Sequence, residues 1–351
     1  MATHLEHLGA QARPAGSAAA AEARDYCAGV LKNAGFVVTE RSFEYSEFVG
    51  AWATPLGGLV AALAGIGLYL GRRAPALTIL SVVALAVTAA ALGYLGRDGV
   101  LDFPARRRTG VNLEATRGDD EPAIWLVAHI DSKWQPVSMI ARVLGVVVTT
   151  LGLIGLLVLA MIRGHELLAA VLLVATWLGS TPLMLSIVGT KNQGTLDNAS
   201  GVAAVLEAVE AIPSTARVGV LITDAEELGL AGARAWVRGR GPGVALNCDS
   251  VDDRGRVTVM HGSPAPAALL ARIRNAASAQ REPLRVLRLI PGILTDHVPL
   301  AEAGWQTVTL SRGDLRTLGR IHTSRDTPGF MRGTGIASVA GILARTATEL
   351  G

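Results

Sequence analysis

Apolar residues follow two regimes along this chain. In four stretches they run on almost unbroken: Ala51 to Gly71, Pro75 to Gly96, Ser138 to Ile162 and Leu167 to Gly189. Each is about 20 residues or longer, the length a helix needs to cross about 30 Å of hydrocarbon. Arg142 sits near the edge of the third, and Gly57, Gly58 and Pro182 are tolerable inside membrane helices. Elsewhere the apolar positions are short runs or periodic. Residues 17–34 predict an amphipathic helix with Ser17 as cap and Gly35 as stop. Phe36 to Phe43 alternates like a strand. Val111 to Ala115, Ile124 to His129, Val218 to Thr223, Val244 to Cys248 and Thr307 to Leu310 predict further strands. Helices are expected at 198–211, near 229–238 and at about 333–349. Strands alternating with helices imply an α/β domain of three layers around a largely parallel sheet.

The four long runs pair into two hairpins, closed by Gly71–Arg72–Arg73–Ala74 and by Arg163–Gly164–His165–Glu166. An even number of spans returns the chain to the side it left, so the polar segments share one side. The expected organisation is therefore one α/β domain with two transmembrane hairpins inserted in its loops. Its pieces are residues 1–50, 97–137 and 190–351, interrupted by hairpins at 51–96 and 138–189.

Composition agrees with a chain partly in lipid. Half of the 351 residues are hydrophobic and 17% are charged, and the mean hydropathy is +0.40. The net charge of +3 comes from scattered arginines, with no stretch that interleaves aromatic and basic residues, so nucleic acid is not an expected partner. The N-terminal stretch MATHLEHLGAQARPAGS lacks an apolar core, so insertion is expected to use the internal segments. Cys27 and Cys248 are too few for a disulfide framework and lack thiolate-zinc spacing; each reads as a small buried residue.

The chemistry lies at strand ends. His129 in AHIDSK, Asp197 in TLDNASG, Glu227 in TDAEELG, Asp249 in LNCDS and His322 in RIHTSRDTP form a set of metal-ligand types. Two histidines and three carboxylates can hold two zinc ions if one carboxylate bridges. His129, Glu226, Glu227 and Asp249 fall at the carboxyl ends of expected strands, where α/β sheets gather ligands. Asp131 is placed to accept a hydrogen bond from the His129 imidazole. Glu226 and Glu227 are adjacent, so their side chains diverge, one to a metal and one to water.

Together these motifs resemble the co-catalytic di-zinc aminopeptidase family with the phosphorylase/hydrolase-like fold. The resemblance starts with LGAQARPAGSAAAAEARDYCAGVLKNAGFVV and continues through HID, LDNASG, DAEELGLAG, NCDS and IHTSRDTP, about 250 residues outside the apolar runs. It implies one zinc held by His129 and Asp249, a second by Glu227 and His322, and Asp197 bridging both. It also implies that Glu226 takes a proton from the attacking water and passes it to the leaving amine, and that Asp131 orients His129. Asp296 and His297, in TDHVPL, resemble a family segment near the pocket. The implied activity is zinc-dependent exopeptidase hydrolysis of peptides, an aminopeptidase bound to the cell membrane by several spans. Two features depart from the family: the hairpin between His129 and Asp197 replaces a short loop, and no aromatic directly precedes His322.

Two other readings stand beside this one. HIDSK is similar to the HYDSK-like stretch of glutaminyl cyclases, single-zinc acyltransferases of the same fold; Asn198 and the NASG continuation favour two metals instead. A non-catalytic relative used as receptor or scaffold would usually have lost ligands, and none is missing here. The substrate's side chain and the oligomeric state are not specified by the sequence. Arg41, Arg97, Arg106, Arg107, Arg108, Lys133 and Lys191 flank the spans on the domain side, against Arg72, Arg73 and Arg163 at the hairpin tips. The positive-inside rule then expects the catalytic domain in the cytoplasm. Chain reach of about 3.3 Å per residue from the third and fourth spans to Asp131 and Asp197 expects the metal centre within roughly 25 Å of the bilayer surface.

Overall fold

The computed structural model describes residues 2–118, 120–289 and 293–351. The chain divides into two compact units. One comprises Met1–Tyr45, Arg107–Trp134 and Gly189–Gly351; the other comprises Ser46–Arg106 and Gln135–Val188.

The first unit is built on an eight-stranded sheet among the described residues. In chain order its strands are Val37–Ser46 (β1), Arg107–Thr116 (β2), Ile124–His129 (β3), Val218–Thr223 (β4), Val244–Val251 (β5), Arg256–His261 (β6), Leu284–Arg288 (β7) and Gln306–Gly313 (β8). They lie side by side as β1-β2-β4-β3-β5-β8-β6-β7. The centre is parallel: β4 with β3, β3 with β5, and β5 with β8. β2 runs antiparallel to β4, and β6 antiparallel to β8. The sheet is thus mixed, and connection length explains why. Parallel neighbours need a crossover of a dozen or more residues, whereas the short links β2–β3 and β5–β6 can only turn the chain back.

β3 shows how the layers form. Ile124, Leu126 and Ala128 point into a core shared with Val202, Val205 and Leu206 of the helix Ser200–Ala211, and with Val339 and Leu343 of the helix Thr334–Thr348. Trp125 and Val127 point the other way, onto Trp236, Leu300 and Trp305. Helices therefore cover both faces. The strand is apolar at every position before His129 because neither face meets water. Burying each such side chain contributes about 1.5–3 kcal/mol. The helix Ala18–Asn33 has the expected cap, with Ser17 Oγ accepting from the Ala20 amide at 3.1 Å. Gly35 follows at φ +84°, a conformation that suits glycine at a helix end.

The second unit holds four helices long and apolar enough to cross a membrane: Glu47–Gly71, Pro75–Arg97, Met139–Ile162 and Glu166–Met184. The first begins at Glu47, before the expected Ala51, with the Glu47 carboxylate in its first turn, at the positive end of the helix dipole. The fourth ends at Met184, short of Gly189; its last carbonyls are met by Leu185 N and by Ser186 Oγ, which donates to Pro182 O at 2.8 Å. Small residues let Met139–Ile162 and Glu166–Met184 approach closely. A Cβ added to Gly179 would lie 2.8 Å from the Thr149 nitrogen and 3.0 Å from Gly145 O. Thr149 and Ser180 hydroxyls meet there at 3.3 Å. At the hairpin tips Arg73 donates to Glu166 at 2.7 Å.

Candidate metal centre

Five segments bring the site together. β3 ends in His129, and β4 is followed by Glu226 and Glu227. Asp249 lies on β5 and His322 on the loop after β8. The remaining carboxylate, Asp197, comes from the turn Thr195–Ala199 that opens the helix Ser200–Ala211. All of these side chains are buried.

The ligand atoms form two facing trios. His129, Glu226 and Asp249 place one atom each within 4.8 Å of one another, and so do Asp197, Glu227 and His322. Asp197 joins them: its Oδ1 lies 3.2 Å from His129 Nε2, and its Oδ2 lies 3.0 Å from His322 Nε2. On one side Asp249 Oδ1 stands 3.8 Å from His129 Nε2. On the other Glu227 Oε1 stands 3.0 Å from His322 Nε2. The sequence expected Glu226 as a base rather than a ligand; its Oε2 lies 4.0 Å from His129 Nε2, farther than either Asp197 or Asp249.

Local structure explains the motifs. In LDNASG the Asn198 side chain is a brace. Its Nδ2 donates to Cys248 O at 3.0 Å, and its Oδ1 accepts from Gly201 N at 3.0 Å and Ser250 N at 3.1 Å. That ties the Asp197 turn to the Asp249 strand. Gly201 is required beneath it, since a Cβ there would lie 2.1 Å from Asn198 Oδ1 and 2.5 Å from Cys248 O. The Asp197–Asn198 peptide bond is cis. Asp131 serves the glutamate pair, its carboxylate accepting from the amides of Glu226 and Glu227, each at 3.1 Å. Toward His129 Nδ1 the nearer partner is the Asp131 main-chain carbonyl, at 3.1 Å, with the carboxylate at 3.5 Å. Asp131 is therefore the common anchor of the His129 and glutamate loops.

The charges follow from crowding in a buried place. At Asp197 burial opposes ionisation, but the two imidazoles hold the carboxyl far below the usual range. Burial pushes Glu226 well up, aided by Glu227, Asp249 and Asp296, with His129 opposing. Burial likewise raises Asp249. At Glu227 burial is outweighed by His322 and Lys133, so the carboxyl stays below the usual range. At His129 burial is outweighed by the surrounding carboxylates, which favour its charged form.

The residues fall into two groups that could hold a metal ion. His129 Nε2 and Glu227 Oε1 are buried with no hydrogen-bond partner among the described residues, although oppositely charged groups crowd them. Such buried atoms beside histidine and carboxylate neighbours fit a cation held between them. The donor set of imidazole nitrogens and carboxylate oxygens is what zinc accepts.

Asp296 and His297 lie near but play different parts. Asp296 accepts from Thr223 Oγ1 at 2.5 Å, and burial raises its carboxyl to about 7 beside Asp131 and Asp249. His297 Nδ1 meets the hydroxyls of Thr295 and Thr309, each at 2.7 Å, and burial lowers it to about 4.

Two supporting residues went unnoticed in the sequence. Asp326 accepts from the amides of Leu196 at 2.6 Å and Asp197 at 3.1 Å, fixing the Asp197 turn. Arg13 is fully enclosed, with 1% of its surface exposed. It donates to the carbonyls of Ile130 at 2.9 Å, Gln193 at 2.8 Å and Gly194 at 2.9 Å, and also to that of Leu8. Its guanidinium clamps the loop after His129 to the loop before Asp197. Arg13→Met keeps the volume but orphans these carbonyls, so it is expected to lower the unfolding free energy by about 2–4 kcal/mol. A denaturant midpoint unchanged from wild type would show that the clamp carries no such weight.

By class, then, this is a mixed α/β protein with two adjoining groups of buried histidine and carboxylate side chains that could hold metal, near the carboxyl ends of its central strands. The model of peptidase family M28 matches residues 111–347, and the chain belongs to that family. Its fold is similar to an aminopeptidase from Aneurinibacillus sp. strain AM-1, at 13% identity and a TM-score of 0.61, covering 99% of this chain and 92% of that one. A zinc aminopeptidase from Bacillus subtilis shares 15% identity at a TM-score of 0.60, over 99% of this chain and 93% of its own. The glutaminyl cyclase of Fimbriiglobus ruber shares 14% at 0.57, again over 99% and 93%. No curated protein matches the chain.

Proposed function

We propose that this chain is a membrane-embedded zinc exopeptidase, an aminopeptidase that hydrolyses peptides at a two-zinc centre. The observation that carries the reading is Asp197, whose two oxygens face two different histidines at 3.2 and 3.0 Å, each histidine with its own carboxylate partner. His129 and Asp249 would hold one ion, Glu227 and His322 the other, with Asp197 shared. When bound, the ions supply Lewis-acid activation of the scissile carbonyl and of the attacking water.

The protein's own part is proton handling and alignment. Glu226 takes the proton from the attacking water and returns it to the leaving nitrogen. Asp131 holds the Glu226 and Glu227 amides and so aims both side chains. Asp326 and Asn198 keep the Asp197 turn in place. Hydrolysis of aminoacyl amides by purified protein tests the reading. Turnover should disappear with a chelator and return with zinc. Activity indifferent to chelation would refute it.

A second reading has one specific support, the likeness of fold to a glutaminyl cyclase. Such a protein would cyclise N-terminal glutamine and hold one zinc. Release of ammonia from glutaminyl peptides without cleavage of other aminoacyl amides would favour it.

The four apolar helices are read as membrane spans. Their outward surfaces are rows of large apolar side chains, including Ile79 at 66% exposure and Leu178 at 69%, which water would penalise and lipid would not. The arginines flanking the spans favour a cytoplasmic catalytic unit. Protease added to intact cells is expected to leave the catalytic unit uncut, with cleavage only after permeabilisation. Digestion from outside would reverse the orientation.

A further inference from the structure

The two halves of the centre offer matched donors: one histidine, one carboxylate of their own and a share of Asp197. Their surroundings differ. Asp249 receives a neutral donor on Oδ1, the Ser250 hydroxyl at 3.0 Å. Glu227 receives a cation. Lys133 Nζ lies 2.7 Å from Glu227 Oε2 and also donates to the Glu227 carbonyl at 3.3 Å. The pair is enclosed, with side-chain exposures of 12% for Lys133 and 5% for Glu227. Lys133 is itself fixed, because its carbonyl accepts from Asn192 Nδ2 at 2.9 Å and its neighbour Trp134 pairs with Gly189. The other oxygen, Oε1, is the one that faces His322, at 3.0 Å.

We propose that Lys133 is a positioning residue that makes Glu227 a one-oxygen ligand and so keeps one coordination position free for substrate. The inference rests on the two-cation reading above. A carboxylate can bind a cation through one oxygen or both. With Oε2 taken up by the half-buried Lys133 ammonium at 2.7 Å, only Oε1 remains for a metal. Hydrolytic metal sites depend on a position that the protein leaves open. Without the Lys133 ammonium, Oε2 could turn to fill that position. Lys133 acts only through Glu227, so its loss should mark ligation before it marks folding.

The test uses the full chain in detergent, loaded with cobalt, whose visible absorption weakens as coordination number rises. Lys133→Met, which keeps the length of the side chain without its charge or donors, is expected to lose absorption intensity. Its KM for an aminoacyl amide should rise by about tenfold or more while kcat changes less, the scale on which residues supporting metal ligands act. Lys133→Arg retains a cationic donor and is expected to keep both the wild-type spectrum and KM. Equal cobalt spectra for wild type and Lys133→Met, with cobalt bound in both, would overturn the role of Lys133 and leave the two-cation reading intact. Failure of the wild type to bind cobalt would overturn both.

Discussion

Glu226→Gln is expected to lose about 10²–10⁴-fold in turnover while its zinc content stays at the wild-type level. The amide preserves shape and hydrogen-bonding reach but cannot accept the proton. Glu226 suits this experiment because its Oε2 lies farther from the nearest imidazole than those of Asp197 and Asp249 do, at 4.0 Å. The Glu226 amide is held by Asp131, so the backbone should not shift when the side chain changes. Two outcomes would count against the assignment. Near-normal activity would remove Glu226 from the chemistry. Loss of a zinc ion would make it a ligand, as its grouping with His129 and Asp249 permits.

Asp197→Ala should deplete both metal positions at once, and Asp249→Ala mainly one. The reasoning is geometric. Asp197 Oδ1 and Oδ2 address different histidines, whereas Asp249 approaches only His129. Removing Asp197 also removes the negative charge that both imidazoles share. Activity of Asp197→Ala should fall to background, and metal analysis should find well under one zinc per chain after dialysis. Two zinc ions retained by Asp197→Ala would contradict the bridging role. A loss confined to one ion would place Asp197 in a single half.

Much of this arrangement was legible because the sequence pattern is local there. Ile124 to His129 is an apolar strand ending in a histidine, and β3 occupies those same residues. Val218 to Thr223 is likewise the full extent of β4. The supporting residues were harder to see because they act on backbone groups far along the chain. Asp326 reaches Leu196, and Arg13 reaches Ile130 and Gln193; no periodicity signals such contacts. β6 and β7 also escaped notice. Arg256–His261 mixes polar and apolar positions, and Leu284–Arg288 carries two arginines in five residues at the sheet's edge. One of their faces is wet, so their pattern is weak. Lys133 was visible only as a charge near a span, since its meaning depends on Glu227, which meets it across the fold. Asp131 was expected to orient His129. In the fold its carboxylate accepts from two amides and also lies 3.5 Å from His129 Nδ1, with its carbonyl nearer at 3.1 Å.

Zinc content and aminoacyl-amide turnover, measured on one preparation of the full chain, bear most directly on the central claim. Two zinc ions per chain are expected, with turnover that falls as they are removed and recovers as they are restored. A chain that binds one zinc and cyclises N-terminal glutamine, or that binds none and hydrolyses nothing, would contradict it.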